Sequence, residues 1–285
     1  DIVIRHGTVL PMAYGEVLKK GTVAVKDGLI TYVGKDCEAP SFKAEREIDA
    51  RGKIVMPGLI NCHTHAAMSL FRGFAEDLEL DKWLKEKIWP LEAKLKPMDI
   101  YHGTLLSCLE MIKSGTTCFS DMYFHEEMVA KAIQKAGLRA VIAPGIIEAG
   151  DAERGRRLLE DTVKIVEKYN GAVDGRITVR LGPHTVYTCS LELLKEIRRT
   201  SSSLNVGIHI HLAESKSTSD LVRRLYGKGE IELLEEIGFL NSDILAAHCV
   251  HLSREEIALL AAHNVGVAYN PVANMKLASG VPKVK

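Results

Sequence analysis

The sequence predicts an α/β protein: a (β/α)8 TIM-type barrel, cut short before its eighth strand, with a small N-terminal β-sandwich domain. Three observations predict it. From Ile54 onward, short apolar runs alternate with longer amphipathic segments, the rhythm of a parallel sheet whose strands are buried on both faces. Polar residues gather at or just past the C-terminal ends of those runs, the face on which such barrels carry their sites. Before Ile54 the texture differs, with short strands punctuated by turn residues.

Residues 1–53 make the first domain. There "TVAV" and "LITYVG" flank Lys26-Asp27-Gly28, and Asp-Gly between apolar runs predicts a hairpin. Residues 54–285 make the second. The runs "KIVMPGLINC", "TTCFSDM", "RAVIAPGII", "ITVRLGP", "NVGIHIHL", "DILAAHC" and "VGVAYNP" predict seven strands. Apolar spacing of three and four predicts helices over "IYHGTLLSCLEMIKSG", "EEMVAKAIQKAG" and "REEIALLAAHN". The first two end at Gly115 and Gly137, where a C-capping glycine belongs. A doubly wound open sheet would concentrate its site at one crevice, usually beside a Gly-rich phosphate loop, and the sequence holds neither common form of that loop. The barrel is the better account, one strand short.

Composition narrows the function classes. Of 285 residues, 46% are hydrophobic and 26% charged, the balance of a soluble globular protein with a sizeable core. Lys plus Arg and Asp plus Glu number 37 each, so no global field draws nucleic acid or an anionic membrane. No apolar stretch approaches the roughly 20 residues that span a bilayer. Six cysteines, without a C-x-x-C pair, argue against a disulfide framework or a Cys-rich zinc site and fit a cytoplasmic protein. Nothing here opposes a homo-oligomer. The first residue is Asp1 rather than Met, so the gene is expected to start further upstream.

The chemistry begins with "NCHTHAAMS", where His63 and His65 stand one residue apart. With 11 histidines in the chain, His-x-His arises by chance roughly 0.4 times. It occurs twice, at His63/His65 and at His209/His211. Residues i and i+2 of a strand share a face, so each pair points one way, and imidazoles facing a barrel cavity are good Zn or Fe ligands. Polar strand-end residues bonded to backbone would look the same, and spacing alone leaves both accounts open. In "HIHLAES", Glu214 follows His211 at the strand end, where a carboxylate can pass protons between a water and a substrate; a helix cap or solvated charge is the commoner fate of a Glu. In "AAHCVHLS", His248 ends an apolar run, and His251 belongs to the loop before the Ser253 cap, where a structural role is expected. The fourth strand ends in His184 and carries no lysine, so a carbamylated lysine bridging two metals is excluded there and one metal is expected. The sequence also lacks H-x-E with P-C-x-x-C, which excludes the nucleobase-deaminase fold of that signature.

Taken together and in order, "PGLINCHTHAAMSLFRG", "GPHTVYTCS", "HIHLAES", "AAHCVHL" and "NPVANMKLASG" resemble the amidohydrolase superfamily. Within it they resemble the cytosine-deaminase-like branch and its 5-methylthioadenosine/S-adenosylhomocysteine deaminases. The resemblance implies that His63, His65 and His211, rather than His209, bind one divalent metal, Zn ahead of Fe. It implies that Glu214 shuttles protons and that His248 orients the nucleophilic water. It further implies a lid over "DKWLKEKIWPLEAKL", with Trp83 lining the pocket, Glu92 holding ribose hydroxyls and His184 touching substrate. Two departures stand beside it. The fourth ligand of such proteins, an Asp in a G-T-D motif, is absent and is expected beyond Lys285, in a longer chain whose C-terminal strands also complete the first domain. Pro144 stands where some members carry one of two arginines that clamp a homocysteine carboxylate; Arg157 matches the other.

The reaction so implied is hydrolytic deamination of an adenine nucleoside to the inosine-type product and ammonia. 5-Methylthioadenosine, S-adenosylhomocysteine, 5'-deoxyadenosine and adenosine are the candidate substrates. The alternatives are a related hydrolase acting on guanine, a triazine or another amino- or chloro-substituted heterocycle, and a catalytically inactive metal-binding protein of the same fold. A non-enzymatic nucleoside-binding protein would have no use for the histidine set.

Overall fold

In the computed structural model of the chain, residues 1–13, 15–76 and 78–283 are described. They pack into two compact units, Asp1–Leu59 and Ile60–Lys285.

The first unit is a five-stranded sheet of β1 (Ile2–Val9), β2 (Leu18–Lys26), β3 (Leu29–Lys35), β4 (Arg46–Asp49) and β5 (Ile54–Val55). The order is β3-β2-β1-β4, with β5 also on β1. The β2–β3 pair is antiparallel with Lys26 opposite Leu29. Asp27 and Gly28 turn the chain with φ of 51° and 76°, the positive pair that a two-residue I′ hairpin demands and that Asp-Gly tolerates. β5 pairs in parallel with β1, so the first unit extends past residue 53.

The second unit opens with β6 (Leu59–Thr64), a 3-10 turn over Ala66–Phe71, and a helical segment made of α1 (Leu80–Lys82), a π turn over Trp83–Ile88 and α2 (Trp89–Glu92). Strand and helix then alternate: α3 (Pro97–Lys113), β7 (Thr116–Tyr123), α4 (Glu126–Ala136), β8 (Arg139–Ile146), α5 (Ala152–Tyr169) and α6 (Ala172–Gly175). The fourth strand position is split into β9 (Ile177–Val179) and β10 (Gly182–Pro183) and is followed by α7 (Leu191–Leu204). After it come β11 (Ile208–Leu212), α8 (Lys216–Tyr226), α9 (Glu230–Glu236), β12 (Ile244–His248), α10 (Arg254–Ala262), β13 (Gly266–Ala268) and α11 (Pro271–Lys276).

Neighbouring strands follow chain order. β6 lies beside β7; β7–β8, β8–β9 and β8–β10 are parallel; a parallel bridge from Leu181 to Ile208 leads to β11; and β11–β12–β13 continue in parallel. Seven strand positions succeed one another with helices between them, the pattern of a TIM-type barrel. Among the described residues β13 and β6 are not paired. Both faces of the central strands are covered: every residue of β11 is buried, and Phe119, Ile142, Ile177, Ile208 and Ala246 are at most 1% exposed, whereas β6 and β13 are largely exposed. This double burial is why the runs read as continuously apolar rather than alternating.

Several helices start on caps supplied by the strand-to-helix loops. Asp151, Ser190, Ser215 and Ser253 accept from the backbone N–H groups of Arg154, Leu193, Thr218 and Glu256. α4 ends at Gly137 in the left-handed region, φ 81°, as its sequence predicts. No helix among the described residues is long and apolar enough to cross a membrane.

Candidate functional site

The site is built where β6, β10, β11 and β12 end. His63 lies on β6 and His65 one residue past Thr64, so period-2 geometry sends both rings to one side, 4.9 Å apart. The turn that follows is pinned from three directions. Ala66 N–H donates to buried Asp121 at 2.6 Å, Ser107 Oγ donates to Ala66 O at 2.6 Å, and Ser69 Oγ donates to Gly103 O at 2.8 Å. A side chain at Gly103 would lie 2.6 Å from Ala67 O, so only glycine lets α3 approach this turn closely.

Three imidazoles have their Nδ1 engaged by an oxygen. His65 Nδ1 donates to Met122 O at 2.6 Å, His211 Nδ1 to His184 O at 2.8 Å, and His248 Nδ1 to Asn274 Oδ1 at 2.8 Å. An oxygen acceptor at Nδ1 fixes the proton there and leaves the Nε2 lone pair free, the outer-shell arrangement of metal-ligating histidines. The lone pairs converge. Ligand atoms of His63, His211 and His248 lie within 4.8 Å of one another, and Nε2 of His65 is 3.4 Å from Nε2 of His211. Burial, with like groups nearby, drives the rings of His63 and His211 well below the usual histidine range. Burial lowers His65 and His248 to about 4. Near neutral pH all four rings are therefore uncharged and able to donate lone pairs, as metal binding requires. The donor set fits a divalent metal with imidazole preference.

Glu214 faces this cluster. Its Oε1 is 3.5 Å from His248 Nε2, and burial raises its carboxyl to about 8. The backbone beside it is held in an unusual shape: Ala213, His248 and Cys249 have φ of 47°, 73° and 51°, sparsely populated for residues other than glycine. Hydrogen bonds enforce it. Buried Glu230, at the start of α9, accepts from Ala213 N–H at 3.0 Å, while Val250 and His251 N–H both donate to Ala213 O. The carboxylate and His248 are thus placed by two interlocked strand ends. His251 Nε2–H donates to Ser279 O at 2.5 Å.

A cavity of about 610 Å³ is lined by His63, His65, His184, His211, Glu214 and His248, with Trp83 on its wall. Through Trp83, His65 and His184 it shares walls with a smaller cavity that Glu92 also lines. Glu92 accepts from Tyr123 Oη at 2.8 Å, and burial raises its carboxyl. Through Trp89, Glu92, Phe124 and Ile147 this in turn borders a third cavity of about 370 Å³, also lined by Ile100 and Arg154. His184, held by Thr188 Oγ1 at 3.0 Å, lies 5.0 Å from the His211 ring.

The structure therefore brings together His63, His65, His184, His211, His248, Glu214, Trp83 and Glu92. It does not bring Arg157, which is exposed on α5; the arginine beside the third cavity is Arg154. Sequence reasoning missed Asn274, Glu230, Tyr123 and Arg154. Asn274 lies inside the quoted "NPVANMKLASG" run, on α11, and Tyr123 ends β7; for Tyr123 its place at a strand end was the available signal.

Comparison with known proteins agrees with this arrangement. Residues 54–285 match the model of the Amidohydrolase family. A 5'-deoxyadenosine deaminase of Methanosarcina acetivorans is 48% identical over 286 aligned residues, covering 100% of this chain and 65% of that protein. A 5-methylthioadenosine/S-adenosylhomocysteine deaminase of Desulforudis audaxviator is 47% identical, covering 99% of this chain and 65% of that protein. The chain thus spans 65% of the length of these relatives. Among solved structures, an adenosine deaminase from Xanthomonas campestris with bound zinc superposes with a TM-score of 0.93 at 31% identity, over 99% of this chain and 65% of that one.

Proposed function

The chain belongs to the amidohydrolase family, and from that premise we propose that its protein hydrolytically deaminates an adenine nucleoside, releasing ammonia and an inosine-type product. One observation carries the proposal. Four neutral imidazoles converge on a cavity with a buried carboxylate, Glu214, 3.5 Å from the His248 ring. The 5'-deoxyadenosine, methylthioadenosine and adenosine deaminases among its relatives support this substrate class.

His63, His65 and His211 would hold one divalent metal, zinc being the metal in the adenosine deaminase neighbour. When bound, that ion supplies the Lewis acidity that makes a water nucleophilic near neutral pH. The chain's own residues do the rest. Glu214 takes a proton from the attacking water and delivers it to ring N1, so that C6 becomes tetrahedral. Burial raises its carboxyl above the usual carboxylate range, towards the neutral pH at which a proton carrier works best. With Nδ1–H committed to Asn274, His248 presents a lone pair that accepts from the water and aims it. Glu214 then carries the remaining proton of the C6 hydroxyl to the amino nitrogen, the C6–N bond breaks as the C6 oxygen becomes a carbonyl, and ammonia leaves. In this reading Trp83 and His184 wall the base, Glu92 accepts from ribose hydroxyls, and the third cavity beyond it takes the 5' substituent.

The test is ammonia release by the full-length protein from 5'-deoxyadenosine, 5-methylthioadenosine, S-adenosylhomocysteine and adenosine, with guanine and a triazine as controls without ribose. Turnover of the nucleosides alone upholds the proposal; turnover of the controls alone, or of nothing by the metal-loaded protein, overturns it.

A further inference from the structure

His63 differs from its three neighbours in what holds its Nδ1. Instead of an oxygen, that atom meets Nε2 of a fifth histidine, His209, at 2.8 Å. His209 is fully buried, and its Nδ1 lies 3.1 Å from Oγ of buried Ser120. It faces away from the cavity that its strand neighbour His211 lines and is not among the residues of that wall.

Two ring nitrogens 2.8 Å apart share one proton, so one donates and the other accepts. The chain Ser120–His209–His63 then has two proton arrangements. In one, the Ser120 hydroxyl donates to His209 Nδ1, His209 Nε2–H donates to His63 Nδ1, and the proton of neutral His63 sits on Nε2. In the other, His63 Nδ1–H donates to His209 Nε2, and His209 Nδ1–H donates to Ser120 Oγ. Only the second leaves His63 Nε2 with a lone pair for the cavity. Met122 O and His184 O can only accept, so His65 and His211 have no such choice.

We propose that His209 is a positioning residue for the metal site: its Nε2 accepts a hydrogen bond from His63 Nδ1–H, its own Nδ1–H donates to Ser120 Oγ, and His63 is so fixed in the tautomer whose Nε2 binds the metal. The inference rests on the reading of His63 as a metal ligand. It touches neither metal nor substrate, and its effect is on affinity for the ion. Losing an outer-shell partner of this kind typically costs about 10–100-fold in metal affinity.

Zinc affinity of the full-length protein, measured by chelator competition, tests this with three variants. His209→Met fills the space without a good acceptor and is expected to weaken zinc binding by about 10–100-fold. His209→Gln places an amide oxygen near the position of Nε2 and should stay within about threefold of the unsubstituted protein. A merely packing role would not separate these two. Met binding as tightly as the unsubstituted protein, or Gln weakening as much as Met, overturns the proposal. His63→Ala separates the two claims: if it keeps full zinc affinity, the reading of His63 as a ligand fails; if it loses zinc while His209→Met does not, the relay alone fails. Should the His209 variants not fold, the unsubstituted protein decides. With ¹⁵N-labelled histidine and zinc bound, the Nδ1 proton of His63 should couple across its hydrogen bond to a second imidazole nitrogen, and its absence overturns the relay.

Discussion

At the N-terminal ends of β11 and β12, Arg198 grips Asp243 through two hydrogen bonds of 2.7 and 2.6 Å. At the C-terminal ends of the same strands, Glu214 faces an uncharged imidazole at 3.5 Å. The lower pair has further partners through the two terminal nitrogens of Arg198, while its Nε has none. Arg198 also donates to Ser201 Oγ, and Arg180 bridges Asp243 O and Ile208 O at 2.6 and 3.2 Å. The upper group has no cationic partner, and burial among neutral rings favours its protonated, uncharged form. Electrostatics at one end of the strands therefore serves cohesion, and at the other it leaves a buried carboxyl and neutral imidazoles at a cost in stability, as the proposed proton transfer requires.

The largest effect should come from removing the upper carboxylate. In the full-length protein, Glu214→Gln is expected to lower kcat about 10²–10⁴-fold while zinc content, measured by elemental analysis, stays at one per chain. Near-normal turnover would remove Glu214 from proton transfer and weaken the contrast at its source.

The lower end should behave in the opposite way. Asp243→Ala leaves the half-closed guanidinium of Arg198 without its partner, and breaking a buried pair typically costs about 3–5 kcal/mol. Asp243 is a third exposed, so about 2–3 kcal/mol is expected from urea unfolding. Because the site lies at the other end of the strands, kcat of the folded fraction should not change. A large loss of kcat without a loss of stability would show that the two ends are not separate in role.

Their pH dependence should also run in opposite directions. Hydrogen bonding from Arg198 holds Asp243 below the usual range, so its contribution is present above the ordinary aspartate value near 3.8 and is lost as pH falls through the lowered one. Burial raises Glu214 to about 8 from an ordinary 4.5. The folded chain then holds a proton that the unfolded chain has released, and stability falls as pH rises from 4.5 towards 8. In metal-free protein, the stability difference between Glu214→Gln and the unsubstituted chain should grow in favour of Gln across that window, by up to about 1.4 kcal/mol per pH unit. Urea unfolding at pH 5, 6.5 and 8 checks it; a difference independent of pH would mean that Glu214 is not desolvated as its surroundings imply.

Much of this contrast was legible beforehand, because it follows from strand ends. Seven apolar runs marked the strands, and period 2 put His63 and His65 on one side before any distance was known. Glu214 and His248 stood out as polar residues terminating apolar runs. What stayed hidden was each partner supplied by a peptide carbonyl: Met122 O and His184 O hold two of the rings, and any residue type offers a carbonyl. His209 was visible only as the other half of an H-x-H, since sequence cannot say which ring of a strand pair faces the cavity and which the neighbouring strand. Arg154 and Arg157 are three residues apart on α5, about 4.5 Å of rise. The Asp151 cap that sets where the helix starts decides which of them borders the third cavity.

Not every polar group at the upper end belongs to the chemistry, and the smallest prediction sharpens the comparison there. Ser253, in the loop after β12, accepts from Glu256 N–H at 3.1 Å, while Glu256 accepts from Ser253 N–H at 2.8 Å. This reciprocal capping box lies five residues from His248 yet, like the lower ion pair, is held by paired hydrogen bonds between its two members. Ser253→Ala should cost about 1 kcal/mol in thermal or urea unfolding, with kcat unchanged. If kcat fell instead, the position of His248 would depend on the start of α10 as well as on Asn274. The division would then lie between whole strand-end loops and the strand bottoms, rather than between the unpaired groups of the cavity and the paired groups around it.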